Sequence, residues 1–328
     1  ASVSRRRHRS RSLSLAACLV GCVSRSPSGD ERDATSETDV EVDDTSDALG
    51  TSEDGESGAP EPPECHPEAF TYAPAPLERP GYTLVPIDVL ALEADIEFDP
   101  AAQQAHASAT LTFQLGESGG LPLLDLRQTP TQIWLDGEPL ALDRFPFVDP
   151  GGGSDTTLRA LEAELAPCSV HELVFEYPLE LPLAVVAKPI TYYEQPAGVG
   201  FDFDFSDTQP HRYLESWLPA NLSWDRHALS LAIHVDAERP HSLVSNGEIE
   251  ALATNTWRVE FPSTTTSFSP LLQVVPSDMI VEDSGELSTA SGALIAWHVV
   301  VPVSLDLAPG PLVDDARALL DGIMELGL

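Results

Sequence analysis

The sequence predicts a mainly β protein: an antiparallel, saddle-like β-sandwich followed by one C-terminal amphipathic helix. Three observations carry this. Short runs alternate apolar with polar or small residues, as in AHASATLTFQL at 105–115, which is the period of a half-buried strand. Proline and glycine, 29 and 21 residues in all, punctuate these runs at the spacing of turns in all-β folds. A helical period appears only after residue 310, where Leu312, Ala316, Leu319, Leu320 and Ile323 fall on one face behind Pro311.

The first 22 residues are of a different kind. Arg5, Arg6, Arg7, Arg9 and Arg11 precede a short apolar run at 13–21, too short to span a bilayer. It closes on Leu19, Val20, Gly21 and Cys22. This ending resembles the lipobox of bacterial lipoprotein signal peptides, which makes Cys22 the expected lipidation site. The resemblance implies an exported protein, lipid-anchored to a bacterial membrane and facing the periplasm or the cell surface. Residues 23–64 are rich in Ser, Thr, Asp, Glu, Gly and Pro. With so few large apolar side chains they predict a disordered acidic tether.

From residue 82 onward strands are expected at 82–89, 94–98, 105–115, 121–126, 131–135, 158–165, 170–177 and 290–303. Asp136 and Gly137 form a turn, and 150–153 (PGGG) a flexible loop. The expected domains are 1–22 (signal), 23–64 (linker), 65–306 (β domain) and 307–328 (helix). An amphipathic helix at the end of a β domain predicts that a further domain follows it.

Formal charge is −36, from 53 acidic and 17 basic residues. Such a balance repels phosphate backbones and argues against nucleic-acid binding. Two cysteines remain in the mature chain, Cys65 and Cys168. In an exported protein they permit a disulfide, with two buried thiols as the alternative.

The sequence holds few motifs for chemistry of its own. His171 and Glu172 begin like a zinc-peptidase signature, but the second His position is Phe175 and the segment alternates as a strand. Asp202, Asp204 and Ser206 open like a calcium loop, yet Asp207 replaces the needed Gly and Tyr213 the closing Glu. Phosphate-binding, dinucleotide and nucleophile-elbow motifs are absent. No metal site is expected in the chain itself.

One stretch, 207–261, has a recognisable order. Thr208 and Gln209 lead through Arg212 to a Trp217, Leu218, Pro219 corner, then Asp225 and an alternating run at 228–233. A Ser245, Asn246, Gly247 turn and a second run carrying Trp257 and Phe261 follow. With 267–275 behind it and Tyr82, Leu124, Asp125 and Leu126 ahead, this order resembles the N-terminal domain of the aminopeptidase N family. These are zinc metallopeptidases, a group that also includes leukotriene A4 hydrolase. The resemblance implies a β domain that caps a zinc active site and helps select peptide N-termini. Gln209 and His211 are then the implied substrate-binding positions, His211 standing where the family has an acid or Gln. Leu222 and Trp224 replace the family's Asp and Pro after the corner. The family's zinc-binding motif does not occur in these residues, so the chain alone is expected to be inactive, without a cofactor, and zinc is implied for a separate catalytic domain. The competing expectation is a stand-alone surface β-sandwich that binds a protein or carbohydrate.

Overall fold

The computed structural model describes residues 19–22, 65, 67–148, 158–180, 189–203, 214–221, 225–267, 269–288 and 294–305, with Gly310, Pro311, Val313, Asp314 and Ala318. Nineteen strands occur in these residues. They are β1 (Leu19–Cys22), β2 (Leu77–Arg79), β3 (Tyr82–Val85), β4 (Ile87–Asp99), β5 (Gln104–Leu115), β6 (Leu121–Asp125) and β7 (Gln132–Leu135). Next come β8 (Glu138–Pro139), β9 (Leu158–Ala160), β10 (Val170–Pro178), β11 (Ile190–Glu194), β12 (Ala197–Phe203) and β13 (His227–Val235). The last are β14 (His241–Ser245), β15 (Glu248–Ala253), β16 (Thr256–Thr265), β17 (Leu272–Pro276), β18 (Ile280–Ser288) and β19 (Leu294–Pro302).

An eight-stranded sheet in the order β15-β16-β13-β4-β5-β10-β7-β8 forms the main layer. Along β4 burial alternates from Leu92 to Phe98, so one face is packed and the other wet. The packed face meets a four-stranded sheet, β11-β12-β17-β14. Phe98 and Phe201 join them at 5.1 Å between ring centroids, and Trp217 stands edge-on to Phe201 at 5.2 Å. A second four-stranded sheet, β2-β3-β6-β9, adds Val85 and Leu124 to the same core. The mainly β sandwich expected from the sequence is therefore present.

Two pairings depart from a purely antiparallel arrangement. β13 runs parallel to β4 at the centre of the main sheet, with Ala228 opposite Ala91 and Val235 opposite Phe98. β3 is parallel to β6. A parallel pair requires a crossover, which the long connection between β4 and β13 supplies.

Turn chemistry explains the hairpins. Asp136 and Gly137 both adopt positive φ, 52° and 81°, as a two-residue turn matched to strand twist requires. At Gly247 a Cβ would lie 2.9 Å from the Glu260 carbonyl oxygen, so only glycine fits between β14 and β15.

A smaller three-stranded sheet, β1-β19-β18, has a separate core of Val299, Val301 and Val313. In it the backbone of Leu19–Cys22 pairs antiparallel with β19, Cys22 opposite Ala296. The segment expected as a signal thus has strand backbone here. The helix expected at 311–326 lies mostly outside the described residues; Gly310, Pro311, Val313, Asp314 and Ala318 have helical backbone.

Candidate functional site

The described part of the motif-bearing stretch begins at a 3-10 turn, Leu214–Ser216, leading into the Trp217 corner. The amides of Trp217 and Leu218 both donate to the Leu214 carbonyl, at 2.9 and 2.8 Å. The corner is then fastened from outside. The Arg127 amide donates to the Glu215 carbonyl at 2.8 Å, the Gln128 side-chain amide to Ser216 O at 2.8 Å, and the Tyr177 hydroxyl to Trp217 O at 2.8 Å. Asp125 and Ala220 exchange two backbone hydrogen bonds of 2.9 Å. Trp217 is fully buried. Apolar burial and satisfied carbonyls together make this a rigid ledge.

Behind the ledge lies a buried polar knot. The Asn221 side-chain amide donates to Ile87 O at 2.7 Å and to Asp225 Oδ2 at 2.6 Å, while the Val89 amide donates to the same Asp225 oxygen at 2.8 Å. The Ser267 hydroxyl donates to Asn221 O at 2.5 Å. The knot ties the corner to the start of β4 and to the end of β16. Two residues on, His227 is 2% exposed and neither ring nitrogen has a hydrogen-bond partner. Burial holds its imidazole below the usual range, with Asp225 acting the other way.

Asp125 and Glu215 meet at the ledge from different elements. Burial pushes the Glu215 carboxyl up to about 7; the Asp125 charge adds to this, while a backbone hydrogen bond and the Arg127 charge oppose it. Nearby Arg159, also buried, donates to three carbonyl oxygens, those of Leu126, Phe145 and Gln128, and stacks 3.6 Å from the Phe147 ring centroid. It clamps β9 to the 126–128 segment.

Two cavities lie on either side of the 73–76 strap, both touching Pro74, Ala75 and Pro86. One, about 270 Å³, reaches Cys65, Phe70 and Gly116. The other, about 290 Å³, is walled by Leu77, Leu84 and Leu123 and ends at Asp125 and Asn221. Eight residues before the strap a disulfide joins Cys65 to Cys168, with Cα atoms 4.8 Å apart, and after it the chain continues into β2.

Of the other residues singled out by sequence, Gln209 and His211 lie outside the described residues, as do Leu222 and Trp224. Cys22 ends β1. His171 lies on β10, the strand its alternation predicts. It sits in a hydrogen-bonded chain that sequence spacing did not reveal: Ser169 Oγ at 2.6 Å from Nε2, and Asp136 Oδ2 at 2.7 Å from Nδ1. Burial acts most strongly on Asp136 and upward, but the Glu172 amide and His171 together hold its carboxyl below the usual value. The Ser169 hydroxyl also donates to the Ala166 carbonyl, and neither cavity is lined by Ser169 or His171. The chain fastens the β7–β8 turn to the turn that carries Cys168. Among the described residues no group of three His, Cys, Asp or Glu is arranged to hold a metal ion.

No family model matches the chain, and no curated protein matches it. Some solved structures are loosely similar. A two-domain zinc metallopeptidase mutant bound to L-arginine is 16% identical over 62% of this chain and 45% of that one, with a TM-score of 0.40. A zinc metallopeptidase mutant from Deinococcus radiodurans is 14% identical over 71% and 52%, TM-score 0.44. Native leukotriene A4 hydrolase from Saccharomyces cerevisiae is 12% identical over 60% and 30%, TM-score 0.46. The chain thus spans less than two thirds of the length of each. Likenesses of this size carry no argument about activity.

Proposed function

We propose that the chain is the substrate-capping N-terminal β domain of an exported, lipid-anchored aminopeptidase of the zinc metallopeptidase type. The observation that supports this most directly is the ledge at 214–221. It is the part of the motif order from Thr208 to Phe261 that demands a fixed geometry, and its backbone carbonyls are held from β6, the 127–128 segment and β10. A rigid ledge suits a cap, because a site that selects peptide N-termini needs its donors and acceptors held in place before substrate arrives.

In this proposal the amide of Gln209 contacts the substrate α-amine at the rim, with His211 beside it. The described residues do not fit a zinc ion, so no hydrolytic step is assigned to them. Zinc, where bound by a catalytic domain, polarises the scissile carbonyl and activates water. Cys22 is the lipid anchor, with residues 23–64 as the spacer to the membrane.

The test uses the complete gene product and an aminoacyl-anilide. Hydrolysis that is lost on chelation and restored by zinc is expected. Gln209→Ala should raise KM about tenfold with a smaller change in kcat, the mark of weakened substrate binding. Absence of hydrolysis, or hydrolysis indifferent to chelation, overturns the proposal.

A further inference from the structure

We propose that the solvent-facing side of the main sheet binds one copper(II) ion between His106, Glu97 and His234. This site is separate from the Gln209 rim and from any zinc in a catalytic domain, and it stands whether or not the chain caps a peptidase.

The sheet register brings the three residues together. β13 runs parallel to β4 with His234 opposite Glu97, and β5 runs antiparallel to β4 with His106 opposite Glu97. Residues directly opposite each other stand on the same face of a sheet. All three are exposed, while their chain neighbours Ile96, Phe98, Ala105, Ala107, Ile233 and Val235 are buried. The alternation therefore turns the three side chains out on the wet face. Neighbouring strands lie about 4.8 Å apart, so the two histidines flank Glu97 across about 10 Å of backbone. The row continues to Thr256 on β16 and to Pro178 on β10, and none of its five members is Lys or Arg.

Thr256 orients one ligand in advance. Its hydroxyl oxygen lies 3.0 Å from His234 Nδ1. With Nδ1–H donating to that oxygen, the lone pair of the ring is on Nε2, which is how outer contacts prepare metal-bound histidines. In this structure no three donors among the described residues surround a metal position. Closing the row takes rotations of exposed side chains, which exchange between staggered wells on a fast timescale. Imidazole nitrogens suit copper, nickel and zinc, and copper(II) is held most tightly of the three. Geometry narrows the choice further. Two imidazoles that approach from opposite sides of a central carboxylate fit the tetragonal arrangement of copper(II) better than a tetrahedron. Asp95 and Glu93 are exposed on the same face of β4, one and two rows away at about 7 Å per row, and add negative potential that favours a cation. Carboxylates alone would hold calcium as well; the two imidazoles would not.

Titration of the whole chain with copper(II) chloride, followed by calorimetry and electron paramagnetic resonance, tests the proposal. One tight copper per chain is expected, with an axial signal split by two imidazole nitrogens. Zinc should bind more weakly, and a large excess of calcium should leave the copper in place. His106→Thr and His234→Thr should each weaken binding at least about tenfold, and the double variant should lose the site. Thermal melts without metal establish that each variant is folded. No tight copper, a signal without nitrogen splitting, zinc bound as tightly as copper, displacement by calcium, or a site that persists in the folded double variant would each overturn the proposal.

Discussion

The Asn221 side chain ties the ledge to the start of β4 and to Asp225. Its side-chain amide donates to Ile87 O and Asp225, while its backbone carbonyl accepts from the Ser267 hydroxyl. Asn221→Ala leaves a buried carbonyl and a buried carboxylate each short of a donor, at a cost of about 1–3 kcal/mol. Chemical denaturation should register that loss with little change in slope. Titratable groups act in opposite directions. The raised carboxyl of Glu215 means that the folded state binds a proton more readily than the unfolded chain, whose carboxyl titrates near 4.5. Its contribution to stability is therefore fully present at low pH, fades as pH rises through that window, and is gone above about 7. His241 is lowered, chiefly by burial. Its Nε2 accepts the Val199 amide at 3.0 Å while Nδ1 faces Arg239 O, so protonation sets two N–H groups against each other. Stability from His241 is present above about 6.5 and falls as pH drops below it. Comparing Glu215→Gln with the parent separates the two effects. The difference should grow in favour of the variant between pH 5 and 8, while the acid-side decline from His241 persists in both.

At the scale of elements, the Cys65–Cys168 bridge joins residues 103 apart. On the chain-entropy account a loop of about that length is worth roughly 4–5 kcal/mol. Cys65→Ser should lower the melting temperature and free the strap, increasing its proteolysis before the rest of the domain unfolds. Much of the strand layout was legible in advance. β5, β7 and β10 fall where alternation placed them, since each has one wet and one packed face. The runs at 82–89 and 94–98 are instead divided at Pro86, and residues 87–99 join into one strand through a bulge at Val89/Ala91. That bulge turns Leu90 outward, which broke the alternation. The strand expected at 158–165 stops at Ala160: the Leu161 amide still reaches Pro122 O on β6, but the Glu162 amide turns to Arg144 O and the Ala163 amide to Leu161 O. The β11–β12 hairpin had no clear sequence signal: Pro196, with its cis bond, and Gly198 and Gly200 dilute its pattern. The Asp125–Glu215 pairing, the Ser169–His171–Asp136 chain and the buried Arg159 depend on residues brought together across elements. No local spacing encodes such meetings.

For the whole molecule, the acidic balance and the start of the chain bear on where it works. If Cys22 is the anchor, metabolic labelling with a fatty acid should mark the parent and miss Cys22→Ser, which should appear in the soluble fraction. Processing at that cysteine would also take Leu19, Val20 and Gly21 away from β19, exposing a strand edge in the smaller sheet. A different consequence follows from the parallel β4–β13 pair. Antiparallel hairpins close as soon as their two strands exist, but β4 must keep one side bare until β13 arrives. The Asp225 contact that seats this junction on Val89 lies 136 residues downstream. On the ribosome, at about 5–20 residues per second, the middle of the main sheet therefore waits many seconds for its last strand. Chains that stall or are cut before β13 would present that bare side to one another. For this protein the hazardous moment falls during synthesis, and an export route that delays folding would suit it.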